Sequence, residues 1–168
     1  MSLTIRPEAD ADNAAIREVL LAAFPTAAEA DLVTMLHSDL DSEIALVAAA
    51  TGGIVGQALL SRMGGEGDGR GYRAVGLGPG VVRPDRQRRG IGSALIRDAL
   101  ARAERRGEEL VFVVGEPGYY RRFGFSNETA APFGSPYAGR YFMARQLREV
   151  ELPAWGRARY APAFEGLG

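Results

Sequence analysis

Hydrophobic and polar positions change period several times along the chain, and each change marks an element. Residues 2–6 (SLTIR) read as a short first strand. Over 14–24, Ile16, Val19, Leu20 and Ala23 recur at helical spacing, which predicts a helix capped by Asp10 or Asp12 and stopped by Pro25. Thr26-x-x-Glu29 has the capping-box pattern, in which each side chain satisfies a free amide at a helix start. It predicts a second helix, to about residue 38, that buries Leu32, Met35 and Leu36. Residues 43–50 and 54–62 are apolar, strand-like runs joined by Thr51-Gly52-Gly53, a hairpin signal. The run 63–71 (MGGEGDGRG) reads as a flexible loop too rich in glycine to pack. Its Glu66 and Asp68 read as a solvated turn, because their spacing fits no calcium loop.

The second half is read in the same way. Residues 72–82 form a further strand interrupted by Gly76, Gly78, Pro79 and Gly80, which predicts a bulge, a bend or the close approach of another backbone or a ligand. Residues 90–106 carry the clearest helical stripe, Ile91, Leu95, Ala99 and Ala103, with Gly107 as the residue just past the end. Leu110–Val114 (LVFVV) has the continuous apolar character of a strand buried on both faces. A short helix is expected over 117–123, a late strand over 140–147, and a coil-rich tail over 149–168. The order β-α-α-β-β-β-α-β-α-β describes a mixed α/β domain with an antiparallel first half and a βαβ crossover in the second. No repeat or linker divides it, so we expect one domain over 1–168 with its core in 2–148.

Composition narrows the chemistry. The 168 residues hold no cysteine, which removes disulfides, thiolate nucleophiles and Cys-ligated metals. One histidine, His37, excludes a multi-His metal centre and argues against a Ser-His-Asp hydrolase; no metal is expected. All 20 basic residues are arginine, so lysine Schiff-base chemistry and a P-loop are out. A net charge of −1 argues against a nucleic-acid partner. No apolar run approaches the ~20 residues that span a bilayer, so no membrane partner is expected. The first residues lack a basic-then-apolar leader, which predicts a cytoplasmic protein.

Against that neutral background one cluster stands out. Arg83, Arg86, Arg88 and Arg89 fall within seven residues, in the stretch 81–93 that runs VVRPDRQRRGIGS. A strand ends, a turn follows, and a helix begins at Gly90 and Gly92. The first turn of a helix offers amides without partners and a partial positive charge, which attract phosphate. The two glycines remove the Cβ atoms that would hold a ligand away, and Arg88 and Arg89 add charge-assisted hydrogen bonds. The same residues read equally as an arginine-capped turn. Two other motifs carry nothing. Asn127-Glu128-Thr129 is a glycosylation sequon without a secretion signal. Gly76-Leu77-Gly78-Pro79-Gly80 lacks the spacing of a dinucleotide loop.

Gln87-Arg88-Arg89-Gly90-Ile91-Gly92 resembles the Q/R-x-x-G-x-G/A pattern of the GNAT superfamily of N-acetyltransferases. Tyr120-Arg121-Arg122-Phe123-Gly124-Phe125 resembles that family's Y-x-x-x-G-F element, and the fuller string GEPGYYRRFGF, with the ending around Tyr160 and Phe164, is similar to a bacterial subgroup of it. The resemblance implies a mostly antiparallel central sheet of about six to seven strands with helices on both faces. It implies acetyl-CoA as acyl donor, with the pyrophosphate gripped by the loop of Gln87, Arg88, Arg89, Gly90, Ile91, Gly92 and Ser93. Backbone amides of Gly80, Val81 and Val82 would hold the pantetheine and polarise the acetyl carbonyl, a contribution of a few kcal/mol. Tyr120 takes the position of the acid that protonates the departing thiolate, with Tyr119 as packing or cofactor contact. The acceptor would be a primary amine, small or on a protein, attacking directly in a ternary complex; a homodimer would fit the family.

The chain also departs from the pattern. Gly115-Glu116-Pro117 stands where many members carry an asparagine, and neither 72–82 nor 110–114 holds a carboxylate to serve as base. Glu116 reads better as a helix cap, Glu29 and Asp31 as a capping box with a solvated face, and His37 as a surface residue at a helix end. The base is unassigned. That gap motivates a second reading, a non-catalytic acyl-CoA-binding or regulatory module, and the Arg-rich stretch 83–106 a third, a nucleic-acid binder.

Overall fold

The computed structural model describes residues 2–167; the expectations that touch residues 1 and 168, at the leader and the tail, lie outside the described residues. Strand β1 (Leu3–Pro7) leads through a 3-10 turn into helices α1 (Asn13–Ala23) and α2 (Ala28–Ser38). The long strands β2 (Ser42–Ala50), β3 (Gly53–Gly67) and β4 (Arg70–Val82) follow as an antiparallel meander. Helix α3 (Ile91–Arg105) then crosses over to β5 (Leu110–Val114), which pairs with β4 in parallel. The last stretch contains α4 (Pro117–Tyr120), α5 (Asn127–Ala130), β6 (Phe133–Gly134), β7 (Phe142–Gln146) and β8 (Gly156–Arg159). The sheet order is β1-β2-β3-β4-β5-β7, with β8 paired to the far end of β3 and to β6. This is the mixed, mostly antiparallel α/β architecture expected from the patterning.

Two layers sandwich the sheet. On one face α3 buries Ile91, Leu95, Ile96, Ala99, Leu100 and Ala103 against Leu46, Leu60, Val75 and Val111. Each large aliphatic so removed from water contributes roughly 1.5–3 kcal/mol. The other face carries α1 and α2 over Val47, Leu59 and Val81, and beside them a second cluster in which Phe112 packs on Phe133 and Phe142. Glu108 is 1% exposed and accepts two hydrogen bonds from Arg62, at 3.0 and 2.9 Å, and one from Arg73 at 3.2 Å. These arginines outweigh the burial that opposes its charge and hold its carboxyl below the usual range.

The structure corrects several local expectations. Asp12 makes no cap bond to α1; it is held instead by Arg6 at 2.8 and 3.0 Å and by the Ala9 amide at 2.8 Å. The Thr26–Glu29 capping box does not form. Thr26 Oγ1 accepts from the Ala28 amide at 3.2 Å, while Glu29 Oε1 is buried without a hydrogen-bond partner. On α2, Met35 is 52% exposed, and Ala30 and Val33 take its place in the core with Leu32 and Leu36. His37, at the end of α2 as expected, is half-buried rather than fully on the surface. Its Nε2 lies 2.5 Å from Glu8 Oε1, bringing the end of α2 to the residue after β1, and the nearby carboxylate lifts its pKa.

The glycine-rich run 63–71 is strand as far as Gly67 and again from Arg70, with the turn at Asp68-Gly69. A Cβ at Gly67 would sit 2.5 Å from Pro153, and one at Gly156 would run into the Glu66 carbonyl. The missing side chains are what let β8 close on β3. The segment 149–168 is accordingly not only coil: it supplies β8, and buries Ala158, Ala161, Ala163 and Phe164. Asn127 donates to the carbonyls of Arg140 and Phe142 at 2.8 and 3.0 Å, a structural brace.

Candidate functional site

The site begins where two parallel strands part. Pairing of β4 with β5 runs from Ala74↔Leu110 to Leu77↔Val113 and stops, while β4 continues to Val82 along β3 alone. In the β3–β4 ladder Ala58 faces Gly80 and Leu60 faces Leu77, so Gly78 and Pro79 together oppose the single Leu59. Such a bulge bends a strand and increases its twist, as the glycine and proline within this strand predicted. Beyond it, the β5-facing edge of β4, including Gly80, Val81 and Val82, has no strand beside it. Its backbone groups on that side are open to a ligand.

The 81–93 stretch folds as the spacing suggested. After β4 a 3-10 turn (Pro84–Arg86) leads to Arg88 at φ +65° and Gly90 at φ +80°, and Gly90 is the N-cap of α3. No side chain caps this helix, so the amides of its first turn are left for a ligand. Left-handed residues set among right-handed ones gather successive N–H groups into an anion-binding concavity. No atom lies within 4 Å of a Cβ built on Gly90, so Gly90 is required for its φ; one on Gly92 would approach the Tyr119 hydroxyl to 3.2 Å. The loop is braced from below by Gln87, whose Nε2 donates to the Val82 carbonyl at 3.1 Å.

A cleft of about 580 Å³ joins these parts. Gly80, Val81 and Val82 line one wall, and Gln87, Arg88, Gly90, Ile91, Gly92 and Ser93 the loop end. Arg89, expected to face the ligand, is exposed and does not line the cleft. Arg83 is also turned aside, paired with Asp85 at 2.7 Å, which holds that carboxyl below its usual pKa. Arg86, a member of the arginine cluster seen in the sequence, and Arg122, which the sequence reading gave no such role, complete the basic end. Arg122 stacks over the Tyr119 ring at 4.5 Å and reaches Ser93 Oγ at 3.4 Å. The pairing of Arg122, in the 3-10 turn that follows α4, with the uncapped start of α3 is a signal in space, absent from the linear spacing.

Tyr119 and Tyr120 both line the cleft, on the short helix that follows β5. Their rings meet edge-on at 5.0 Å, and Tyr120 also packs edge-on against Phe125 at 5.9 Å. Burial, then the neighbouring Tyr119, pushes the Tyr120 phenol above its ordinary pKa of 10.0. The phenol is therefore protonated at neutral pH. Gly115 stands two residues before Pro117 for a visible reason: a Cβ there would lie 2.9 Å from Tyr120 Cδ2 and nearer still to Cε2. Glu116 sits at the N-cap of α4, makes no side-chain cap bond, and points to Arg140 at 3.6 Å. Asp31 pairs with Arg17 at 2.8 Å. No carboxylate lines the cleft among the described residues.

The family model described as "Acetyltransferase (GNAT) domain" aligns with residues 4–127. The chain belongs to the GNAT acetyltransferase family. Its resemblance to an uncharacterized N-acetyltransferase, YjhQ of Escherichia coli, is 36% identity over 116 residues, which is 68% of this chain and 64% of that protein. The chain thus spans less than two thirds of that curated relative's length. Among solved structures it superposes on the GNAT family N-acetyltransferase YhbS of Escherichia coli, in complex with CoA, with a TM-score of 0.87 and 25% identity, covering 99% of this chain and 93% of that one. A GNAT family acetyltransferase from Brucella melitensis, in complex with acetyl-CoA, gives 0.81 and 32%, covering 97% and 98%. No helix of the described residues is long and apolar enough to cross a membrane.

Proposed function

We propose that this protein is an acetyl-CoA-dependent N-acetyltransferase that acetylates a primary amine by direct attack in a ternary complex. The observation that carries it is a single cleft lined by both an anion cradle and Tyr120, and bordered by the free edge of β4. The cradle suits a diphosphate: first-turn amides of α3, the left-handed pair Arg88 and Gly90, and the guanidinium groups of Arg86, Arg88 and Arg122. The open edge of β4 at Gly80–Val82 suits an amide-bearing chain laid alongside it like an added strand.

The chemistry then follows. The lone pair of a neutral amine attacks the thioester carbonyl carbon, the carbon–sulfur bond breaks, and its electron pair leaves on sulfur. Nitrogen loses one proton and sulfur gains one, giving an acetamide and the CoA thiol. A backbone amide of β4 aimed at the carbonyl oxygen stabilises the charge that develops there. Tyr120, neutral and protonated, hands its proton to the sulfur and is recharged from solvent. Arg89 is better read as a surface cation near the entrance than as a direct ligand. A cytoplasmic setting suits a chain without cysteine.

Calorimetric titration with acetyl-CoA, with ATP and NADH as controls, tests the reading. Selective micromolar binding of acetyl-CoA is expected, followed by amine-dependent release of free CoA; equal or absent binding of all three would overturn it. The lack of a carboxylate in the cleft favours one competing reading, an acyl-CoA-binding module without turnover. That reading predicts binding with no CoA release on any amine.

A further inference from the structure

Directly beneath the point where β4 and β5 part lies a tyrosine that the acetyl-transfer reading leaves unused. Tyr160 follows β8, and its ring covers Gly76 on the sheet face away from α3: a Cβ on Gly76 would sit 2.8 Å from Tyr160 Cε1. Gly76 pairs with Phe112, one step before the last β4–β5 pair, Leu77↔Val113. The Tyr160 hydroxyl is buried and has no hydrogen-bond partner. Buried polar groups are paired as a rule, and leaving one bare forfeits its whole hydration. A buried hydroxyl with no partner in the fold therefore asks for one that comes and goes. Burial, with a smaller push from Tyr137, raises its pKa well above the ordinary value, so the phenol stays neutral and acts only through hydrogen bonds.

The surroundings say what carries that partner. The Tyr137 ring meets Tyr160 edge-on at 5.2 Å, and Phe164 lies at 5.1 Å. Val114, the next residue of β5 beyond the last pair, shares the face of Phe112 by strand alternation. It is 43% exposed, an apolar side chain at the open end of the splay. Tyr137 comes from an exposed turn closed by the Ala138 amide on the Ser135 carbonyl, and its ring is itself partly exposed. We propose that the Tyr160 hydroxyl accepts a hydrogen bond from the attacking amine, in an aromatic-walled subsite that takes a primary amine carried on an aryl or alkyl group. The bond leaves the nitrogen lone pair facing the splay. This rests on the acetyltransferase reading and assigns the face from which its acceptor arrives.

The test compares wild type with Tyr160→Phe, using phenethylamine and glucosamine as acceptors, acetyl-CoA calorimetry, and thermal melting. Wild type is expected to prefer phenethylamine. The variant should lose about tenfold in kcat/KM for phenethylamine, mainly through KM. It should keep its acetyl-CoA affinity and melt no lower than wild type, because no protein partner of the hydroxyl is lost. A merely structural role would lower the melting temperature and leave the KM unmoved. Unchanged kcat/KM in the variant, weakened acetyl-CoA binding in it, or wild-type preference for glucosamine would each overturn the proposal. So would wild-type protein that binds acetyl-CoA but acetylates neither amine. Failure of wild type to bind acetyl-CoA at all would instead remove the parent reading, and the proposal with it.

Discussion

Gly115→Ala isolates the placement of Tyr120 from its presence. The new methyl carbon would stand 2.9 Å from Tyr120 Cδ2 and closer to Cε2, where carbon atoms settle about 3.5–4.0 Å apart. Gly115 has no left-handed φ, so alanine meets no backbone obstacle and the clash falls on the ring. The ring must therefore retreat by roughly 1 Å, a misplacement that lowers rates about a hundredfold where a proton is transferred. Overpacking of this kind costs ~1–3 kcal/mol, which lowers the melting temperature by roughly 2–12 °C for a chain of this size. Gly115 does not line the cleft, so acetyl-CoA affinity should hold. The assay is a double-mutant cycle on kcat, with CoA release as readout. Tyr120→Phe alone should fall comparably, and adding Gly115→Ala to it should cost nothing further. Full activity in Gly115→Ala, or independent multiplication of the two losses, would refute the placement argument and with it the role of Tyr120.

Three further outcomes follow from the same geometry. Because burial raises the Tyr120 phenol above 10.0, kcat should stay level through neutral pH and fall only above about pH 10 as the acid is lost, and this alkaline limb should vanish in Tyr120→Phe. Gly90→Val forces a β-branched residue to φ +80°, at ~1–2 kcal/mol; acetyl-CoA should bind roughly tenfold more weakly by calorimetry, while Gly90→Asn, which tolerates that conformation, should lose much less. The Glu8 carboxylate beside His37 raises its folded pKa above the ordinary 6.5. Its stabilisation is therefore complete below pH 6.5 and disappears as pH rises through the raised value. Urea midpoints should drop as pH rises above about 6.5 in wild type and drop less in His37→Gln, and equal drops would sink the assignment.

The donor half of this protein was legible because its signals are contiguous. A strand, a turn and a helix start lie within residues 81–93, and the left-handed Gly90 and uncapped α3 are local consequences of that sequence. Element types were readable for the same reason, since a period of two or 3.6 needs only near neighbours. The misreadings involve a competing partner, near or distant, that periodicity and spacing do not reveal. Asp12 looked like a cap, yet Arg6 and the Ala9 amide claim its carboxylate. The run 63–71 looked like free loop, yet its partner strand β8 comes some ninety residues later. Gly115 looked like a missing asparagine, and only the folded chain puts the Tyr120 ring where a side chain would be.

The same logic explains why the acceptor side is silent in the sequence. A nucleotide-bearing donor is recognised through backbone amides, which need a fixed local conformation and therefore leave a fixed pattern of glycines. An acceptor is recognised through side chains that merely have to converge. Gly76, Val114, Tyr137 and Tyr160 come from β4, the end of β5, a surface turn and the segment after β8, and none is unusual where it stands. Tyr160 differs from any other buried aromatic only in the partner its hydroxyl lacks. Convergent sites of this kind can change their substrate by single substitutions without disturbing the donor cradle, so a shared donor motif carries little information about what is acetylated. Exchanging Val114 or Tyr137 should therefore shift the ranking of amines while leaving acetyl-CoA affinity in place, and a shift in that affinity would place both residues on the donor side instead.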